Sequence, residues 1–571
     1  MRDKYVSFDI FDTLIRRVLS TNKIYEMMEL VLVNHKISFG NGFCSKRLAA
    51  EESLSGKIYT LDDIYNTYFF QDITLENIEV LKSMEIEYEI NNCVVNEEGK
   101  SLYDKYKDRY QVICISDMYF NFDVIEKILQ HAGYIDIKKI YVSSDAKAEK
   151  KNGKLFQYVL QDLNIHPWQM IHFGDSWRRD WLMPKLNFIR SKHISRKHQL
   201  RVNERFYFEF GFWVVGPVIY EFCNWIHEKS KGRSCFFLSR EGEVLARYYD
   251  ILFGSKSKIL YISRKVALRG LAYKYLNSNT LQNMIEHTSL DRYETIGSLL
   301  KRIGLDDDKV YDLFEQNGFQ KAEPLSQEFF DCFETNKHLF MYLLHDFSDL
   351  YCDYLRKNLN DNNYLIDLGW QGSIQKCIEL AIENSNQNIY GLYFGCVNSD
   401  NKAGFLFESK DHIYHNIMNF SGLLENIFMP MHGSVISLRK AGEEIEPVYD
   451  EFEFDENSCN IISEVQSGIE HLIMLLQPFA GKRCFDKCKI REHLIHFGCV
   501  PSVTYVKKFK GMGFYDNGEK RFLIEDFDYF NIKSCKRQFI QSKWKTAYLI
   551  NGLKISYNYS NIINMFRKLL G

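Results

Sequence analysis

Proline is scarce in these 571 residues, eight in all, while Phe, Tyr and Trp make up 15%. That pairing disfavours long rigid loops and favours helices and sheets. A dominant charge is missing as well. The formal net charge is −3, so no global field draws the protein to nucleic acid or to an acidic surface. No hydrophobic run is uninterrupted: the most apolar stretch, FYFEFGFWVVGPVIYEFCNWI (206–226), carries Glu209, Pro217 and Glu221, which predicts a buried helix rather than a membrane span. The charged start leads straight into a strand and the 14 cysteines have no regular spacing, so no signal sequence, reduced thiols and a cytoplasmic location are expected. The end of this sequence also lacks acid. From Lys533 onward there are eight basic residues (Lys533, Lys536, Arg537, Lys543, Lys545, Lys554, Arg567, Lys568) and no Asp or Glu.

What is present is a globular composition, 46% hydrophobic and 26% charged, on a chain too long for one core. Four segments share one pattern, a hydrophobic strand ending in polar residues. VSFDIFDTLIRR (6–17) alternates Val6, Phe8 and Ile10 and breaks at Asp12-Thr13, leaving Asp9 near the strand's carboxyl end. QVICISDMYF (111–120) ends at Ser116-Asp117, a hydroxyl suited to a phosphoryl oxygen. YVSSDAKAEKKNGKLFQYVL (141–160) reads as strand, lysine-rich loop and a helix from near Gly153, with Lys150 and Lys151 competing to neutralise an anion. MIHFGDSWRRDW (170–181) sets Asp175 and Asp180 on a turn and helix start, a partial cage for Mg²⁺. In a parallel α/β sheet these strand ends line the crevice where ligands bind.

In this order, acid, hydroxyl, lysine and GDxxxxD, the chain resembles the haloacid dehalogenase-like (HAD) superfamily over roughly its first third. The resemblance implies a Rossmann-like α/β core in which Asp9 is a nucleophile phosphorylated in turnover, Ser116 and Lys150 hold the phosphate, and Mg²⁺ is bound by Asp9, Asp175, Asp180 and the carbonyl of Phe11. Asp12, Thr13 and Asp117 are further substrate-side candidates. A carboxylate attacks an anionic phosphate only if cations screen the repulsion, which Mg²⁺ and lysine supply.

Phe11 stands where phosphatases of the superfamily usually carry an Asp that acts as general acid and base. A phenyl ring donates no proton, and losing a positioned acid costs about 10²–10⁴-fold. Asp12 is one residue further on. Dehalogenases of the superfamily also lack that Asp, but they need no metal and commonly lose the acidic pair that GDSWRRD keeps. Between the first two strands, IYEMMELVLVNHK, FCSKRLAAEESL and LENIEVLKSMEIEYEINNC have helical periodicity and resemble the family's helical cap, expected at about 17–95.

The expected divisions are a HAD-like domain at 1–200, a second α/β domain at 205–440, and a mixed extension with a basic tail at 441–571. In the second domain CFFLSREGEVLARYYDIL, ILYISRKVAL (a strand ending at Ser263-Arg264) and NYLIDLGWQGSIQKCIELAIENSNQNIYGLYFGCV predict a second crevice built from Arg240, Arg264, Asp367, Gly369, Gly372 and Ser373. FDIFDTL and SDMYF followed by FLSREGEVL and DLGWQGSIQ are similar to long bacterial HAD-like proteins of capsular and lipopolysaccharide synthesis. This implies a phosphorylated sugar or a nucleotide- or lipid-linked glycan as substrate. The alternative is a transferase centred on Arg240 and Asp367 with a non-catalytic, ligand-binding HAD module. Cys484, Cys488, His493, His496 and Cys499 cluster in sequence, but the stretch reads as a helix with Cys484, Cys488 and Ile495 on apolar positions rather than a zinc site. No nucleic-acid partner is expected. The aromatic, basic tail suits peripheral membrane contact as well as an ordinary solvated helix face.

Overall fold

The computed structural model describes residues 4–34, 40–194, 205–231, 233–288, 295–359, 362–383, 388–452, 454–516 and 519–563. The chain is mixed α/β and forms two compact units, Met1–Arg205 and Phe206–Gly571.

In the first unit β1 (Tyr5–Phe8) is followed by a short antiparallel pair, β2 (Ile15–Arg17) with β3 (Cys93–Val95), and then by β4 (Gln111–Ser116), β5 (Lys139–Val142), β6 (Met170–Gly174) and β7 (Arg190–His193). Five of these make a parallel sheet of order β5-β4-β1-β6-β7. The central strand β1 is buried along its whole length, and Phe8 stacks on Phe173 of β6 with ring centroids 5.3 Å apart. Parallel strands need crossovers, and the amphipathic helices Phe122–His131 and Lys154–Asp162 supply them with Val124, Ile125, Ile128, Leu129, Leu155, Phe156 and Val159 turned inward. Gly99, in the helix Glu97–Lys107, lies so close to the turn after β1 that a Cβ would come 1.9 Å from the Thr13 carbonyl oxygen.

The pair β2–β3 is the stem of a helical insert. Thr21–Asn34, Phe43–Ser53, Leu61–Tyr65 and Leu75–Asn92 all fall between its two strands. Its interior is not purely apolar. Arg47 is fully buried and donates to both carboxylate oxygens of buried Glu85, at 2.8 and 2.6 Å; Tyr65 donates to the same carboxylate at 2.8 Å and Tyr119 at 3.1 Å.

The second unit contains β8 (Ser234–Leu238), β9 (Lys258–Leu260), β10 (Asn362–Trp370), β11 (Asn388–Cys396) and β12 (Lys402–Gly404), parallel in the order β12-β11-β10-β8-β9. The order reverses between β8 and β10, where such sheets open a crevice. The strand expected to reach Ser263-Arg264 stops at Leu260. Ser263 instead caps the helix Arg264–Ser278 by accepting from the Val266 amide, since a hydroxyl three residues before an apolar run satisfies an orphan helix donor. Between β9 and β10 lies a helical insert that ends in the 32-residue helix Gln327–Asn358.

The stretch 206–226 is helical and buried, as Phe206–Phe210, a wider turn at Gly211–Val215 and Gly216–Ser230. Among the described residues no helix is long and apolar enough to cross a membrane. Residues 441–571 belong to the second unit. The helix Glu456–Leu476 packs so tightly on 206–215 that a Cβ on Gly211 would lie 2.0 Å from the Val465 carbonyl oxygen. Trp544, Tyr548 and Ile550, read in sequence as part of an aromatic, basic tail, are buried within that unit; Arg567 and Lys568 lie outside the described residues.

The cysteine stretch differs from its sequence reading. Its helix begins at Lys487 because Asp486 caps it by accepting from the Lys489 amide. Cys484 therefore precedes the helix and is buried beside the Tyr220 hydroxyl, Cys488 is exposed, and Ile495 is half-buried while Leu494 and Phe497 face inward. Among the described residues no Cys/His group has ligand atoms close enough to hold an ion.

Candidate active site

The carboxyl ends of β1, β4 and β6 converge, and the polar residues that follow them meet there. Asp9 leaves β1 with its amide donating to the Phe173 carbonyl oxygen at 2.8 Å, which keeps its side chain at the sheet edge. The chain then turns through Asp12 in a left-handed conformation (φ 60°), a position open to Asp at modest cost. That turn brings the Thr13 hydroxyl to 3.3 Å from Asp9 Oδ2. Ser116 is the buried last residue of β4.

Lys150 is 2% exposed, and its Nζ lies 2.5 Å from Asp9 Oδ1 and 2.6 Å from Asp180 Oδ1. Lys151, the competing residue in sequence, instead pairs with Glu149 at 2.7 Å at the surface. Asp180 is delivered by a turn of π-helix, Trp177–Leu182, whose extra residue carries the carboxylate back toward the strand ends. It passes so close to Gly174 that a Cβ there would sit 2.4 Å from the Asp180 Cβ, so the glycine of GDxxxxD makes room for the later Asp.

Asp9, Asp175 and Asp180 each offer a carboxylate oxygen within 4.8 Å of the others, and all three are buried. Three hard oxygen donors in one pocket fit a small dication such as Mg²⁺, and the donor set suits no soft metal. The charges are strongly coupled. Burial, aided by Asp180 and Asp175 and opposed by Lys150, pushes the Asp9 carboxyl up to about 7. Burial also pushes up on Asp180, but Lys150 and His172 beside it hold its carboxyl well below the usual carboxylate range. Lys150 stays protonated because Asp180 and Asp9 outweigh the cost of its burial.

His172 was missed in the sequence. It is fully buried, with Nε2 3.2 Å from Asp180 Oδ1 and Nδ1 2.9 Å from the hydroxyl of Ser7, the residue opposite it in the β1–β6 register. Burial lowers its pKa, so the ring is neutral, and ionised Asp180 takes the Nε2 proton as a hydrogen bond. The available signal was the alternation of MIHFG, which turns His172 inward beside a strand that also buries Ser7. Arg17 was missed too. Its guanidinium lies 4.2 Å from the centroid of the Phe11 ring and bonds Glu89 at 2.6 Å.

Beyond Asp117 the insert and the sheet edge enclose a cavity of about 580 Å³ lined by Arg17, Tyr25, Glu51, Tyr59, Asp117 and Tyr119, among others.

The remaining predicted residues form a separate group in the second unit. Arg240 follows β8 in a strained backbone conformation (φ 73°, ψ −114°), Arg264 is the exposed first residue of its helix, and Asp367 lies in β10. Gly369 and Gly372 both have left-handed φ, and Ser373 opens the helix Ser373–Ile382. Burial, with Glu241 adding to it, pushes Asp367 up to about 8.

No family model and no curated protein matches the chain. It is similar to several solved structures. One is a HAD phosphatase from Thermococcus onnurineus (19% identity over 35% of this chain and 90% of that chain, TM-score 0.27). Another is a 2-haloacid dehalogenase from Pseudomonas syringae pv. tomato (14% identity, 33% and 85%, TM-score 0.27). A third is a Bacillus subtilis protein described as a HAD-hydrolase and bound to magnesium (15% identity, 35% and 92%, TM-score 0.26).

Proposed function

We propose that the first unit is a Mg²⁺-dependent HAD-like phosphohydrolase that works through an aspartyl-phosphate. The observation that carries this is the meeting of Asp9, Thr13, Ser116, Lys150, Asp175 and Asp180 at one sheet edge beside a cavity under the helical insert. An Asp9 oxygen attacks phosphorus, the bond to the leaving oxygen breaks, and water then cleaves the acyl-phosphate to return the carboxylate and release phosphate. Lys150 offsets anionic charge at Asp9, and the Thr13 hydroxyl orients the other carboxylate oxygen. Magnesium, held by Asp9, Asp175, Asp180 and the Phe11 carbonyl, would screen the repulsion between carboxylate and phosphate.

The substrate class put forward is a phosphorylated sugar or a nucleotide- or lipid-linked glycan of bacterial surface polysaccharide. The polar and aromatic cavity lining supports it, because such walls hydrogen-bond hydroxyls and pack on sugar rings. The test is Mg²⁺-dependent phosphate release from a nitrophenyl phosphate by the native chain and by Asp9→Asn. Release that persists in Asp9→Asn refutes the reading.

A second reading places a transferase in the second unit. It is favoured by the strand-order reversal between β8 and β10, where buried Ser239 Oγ and Asp367 Oδ1 have no hydrogen-bond partner among the described residues. Loss of function with Asp367→Asn but not Asp9→Asn distinguishes the two.

A further inference from the structure

The proposed reaction needs a proton for the leaving oxygen, and Phe11 has none to give. Its ring lies against Arg17, so no carboxyl occupies that place. The replacement has to sit between the phosphoryl pocket and the space that receives the leaving group. Of the carboxyl groups lining the cavity, Glu51 and Glu52 belong to the insert, and Glu51 is engaged by Arg47 at 2.9 Å and Tyr59 at 3.2 Å. Glu149 is paired with Lys151 at 2.7 Å. Asp12 does not line the cavity.

Asp117 does, and it follows directly on Ser116 at the edge that carries Asp9. One of its oxygens, Oδ1, accepts the Lys150 backbone amide at 2.8 Å, which fixes the carboxyl on the residue whose Nζ holds Asp9. Its other oxygen takes no hydrogen bond among the described residues and is not sealed from solvent.

We propose that Asp117 is the general acid and base of the first unit, acting from the neighbouring strand in place of the side chain that Phe11 lacks. This rests on the phosphohydrolase reading. In the first displacement the Asp117 carboxyl gives its proton to the leaving oxygen as the P–O bond breaks. In the second the Asp117 carboxylate takes a proton from the attacking water, which restores the acid. The charged groups around it are Lys150, Arg179 and Glu149. Burial raises the Asp117 pKa against the pull of Lys150 and Arg179, which favours the protonated form that the first step uses.

The experiment compares native protein, Asp9→Asn, Asp117→Asn and Phe11→Asp/Asp117→Asn on two esters. A nitrophenyl leaving group departs unprotonated, whereas phenol, with a pKa of about 10, needs the proton. Asp117→Asn is expected to lose about 10²–10⁴-fold in kcat/KM on phenyl phosphate and less than about tenfold in kcat/KM on nitrophenyl phosphate, because kcat/KM reads only the first displacement, while kcat on both esters falls as the shared acyl-phosphate loses its base. Retained nitrophenol release in the first turnover shows that the variant is folded. Phe11→Asp in the same background is expected to restore phenyl phosphate hydrolysis at least partly. Equal losses in kcat/KM on both esters, or no loss on phenyl phosphate, overturn the proposal. Full activity of Asp9→Asn, or no turnover of either ester by the native protein, overturns the phosphohydrolase reading itself, and this assignment with it.

Discussion

Arg47→Met tests what holds the wall of the cavity. Arg47 is enclosed, its guanidinium carries two bonds to Glu85, and its carbon lies 4.7 Å from the Tyr25 ring centroid and 5.3 Å from that of Tyr119. Methionine roughly fills the space but leaves Glu85, 2% exposed, with only tyrosine hydroxyls for partners. Stranding one member of a buried pair costs about 3–5 kcal/mol, mostly because the remaining charge is uncompensated. Glu85 sits on Leu75–Asn92 and Arg47 on Phe43–Ser53, so the cost falls on opening of the insert rather than on the sheet. Amide hydrogen exchange of those two helices is expected to quicken by about a hundred- to several-thousand-fold, with the β1, β4 and β6 amides unchanged. Adding Glu85→Gln removes the stranded charge while keeping an oxygen to accept from one tyrosine hydroxyl and an NH₂ to donate to the other, and is expected to recover most of the loss. Exchange in Arg47→Met within about threefold of native, or a double variant worse than the single, would mean that the Arg47–Glu85 pair does not hold the insert closed.

Gly174→Ala is expected to push Asp180 out of the carboxylate cluster and cost about 10²-fold in nitrophenyl phosphate turnover, with exchange in the insert unchanged. Lys150→Met leaves Asp9 and Asp180 without their shared cation; metal-free protein is expected to melt earlier, and saturating Mg²⁺ to return part of the difference. Because the folded protein holds the Asp9 proton up to about pH 7 while the unfolded chain releases it near 3.8, metal-free stability falls as pH rises through that window, by at most about 4 kcal/mol. Chelated Asp9→Asn is expected to lack that slope in thermal melts between pH 5 and 7.5.

The strand ends were legible because a parallel sheet imposes one pattern on each of them, a buried apolar run that stops at polar residues. Asp9, Ser116, Asp175 and Asp180 stand out against that background. Lys150 and Lys151 were not separable by sequence, since only burial distinguishes a lysine at 2% exposure from its half-exposed neighbour. Helical periodicity counts charged side chains as outward and so does not single out Glu85 and Glu89, which Arg47 and Arg17 draw in. The helical insert before β10 puts about a hundred residues between β9 and β10, so the strand read at NYLIDLGW carried no local trace of pairing with β8 rather than with β9. Helix boundaries hinged on single caps: Asp486 moved a helix start past Cys484, and Ser263 turned an expected strand end into a helix start.

The placement of β1 has a consequence for how the protein is made. This strand is synthesised well before its two neighbours, β4 and β6, which begin at Gln111 and Met170. A nascent chain that ends before Met170 carries β1 with one edge bare, a template for pairing with another chain. Closing the sheet across the whole insert is also the kind of long-range step that slows folding. Asp175 and Asp180 follow β6, so Asp9 gains them only when β6 pairs. The carboxylate cluster that the proposed chemistry uses is thus completed only when β6 joins the sheet, and a unit without β6 has neither Asp175 nor Asp180 beside Asp9.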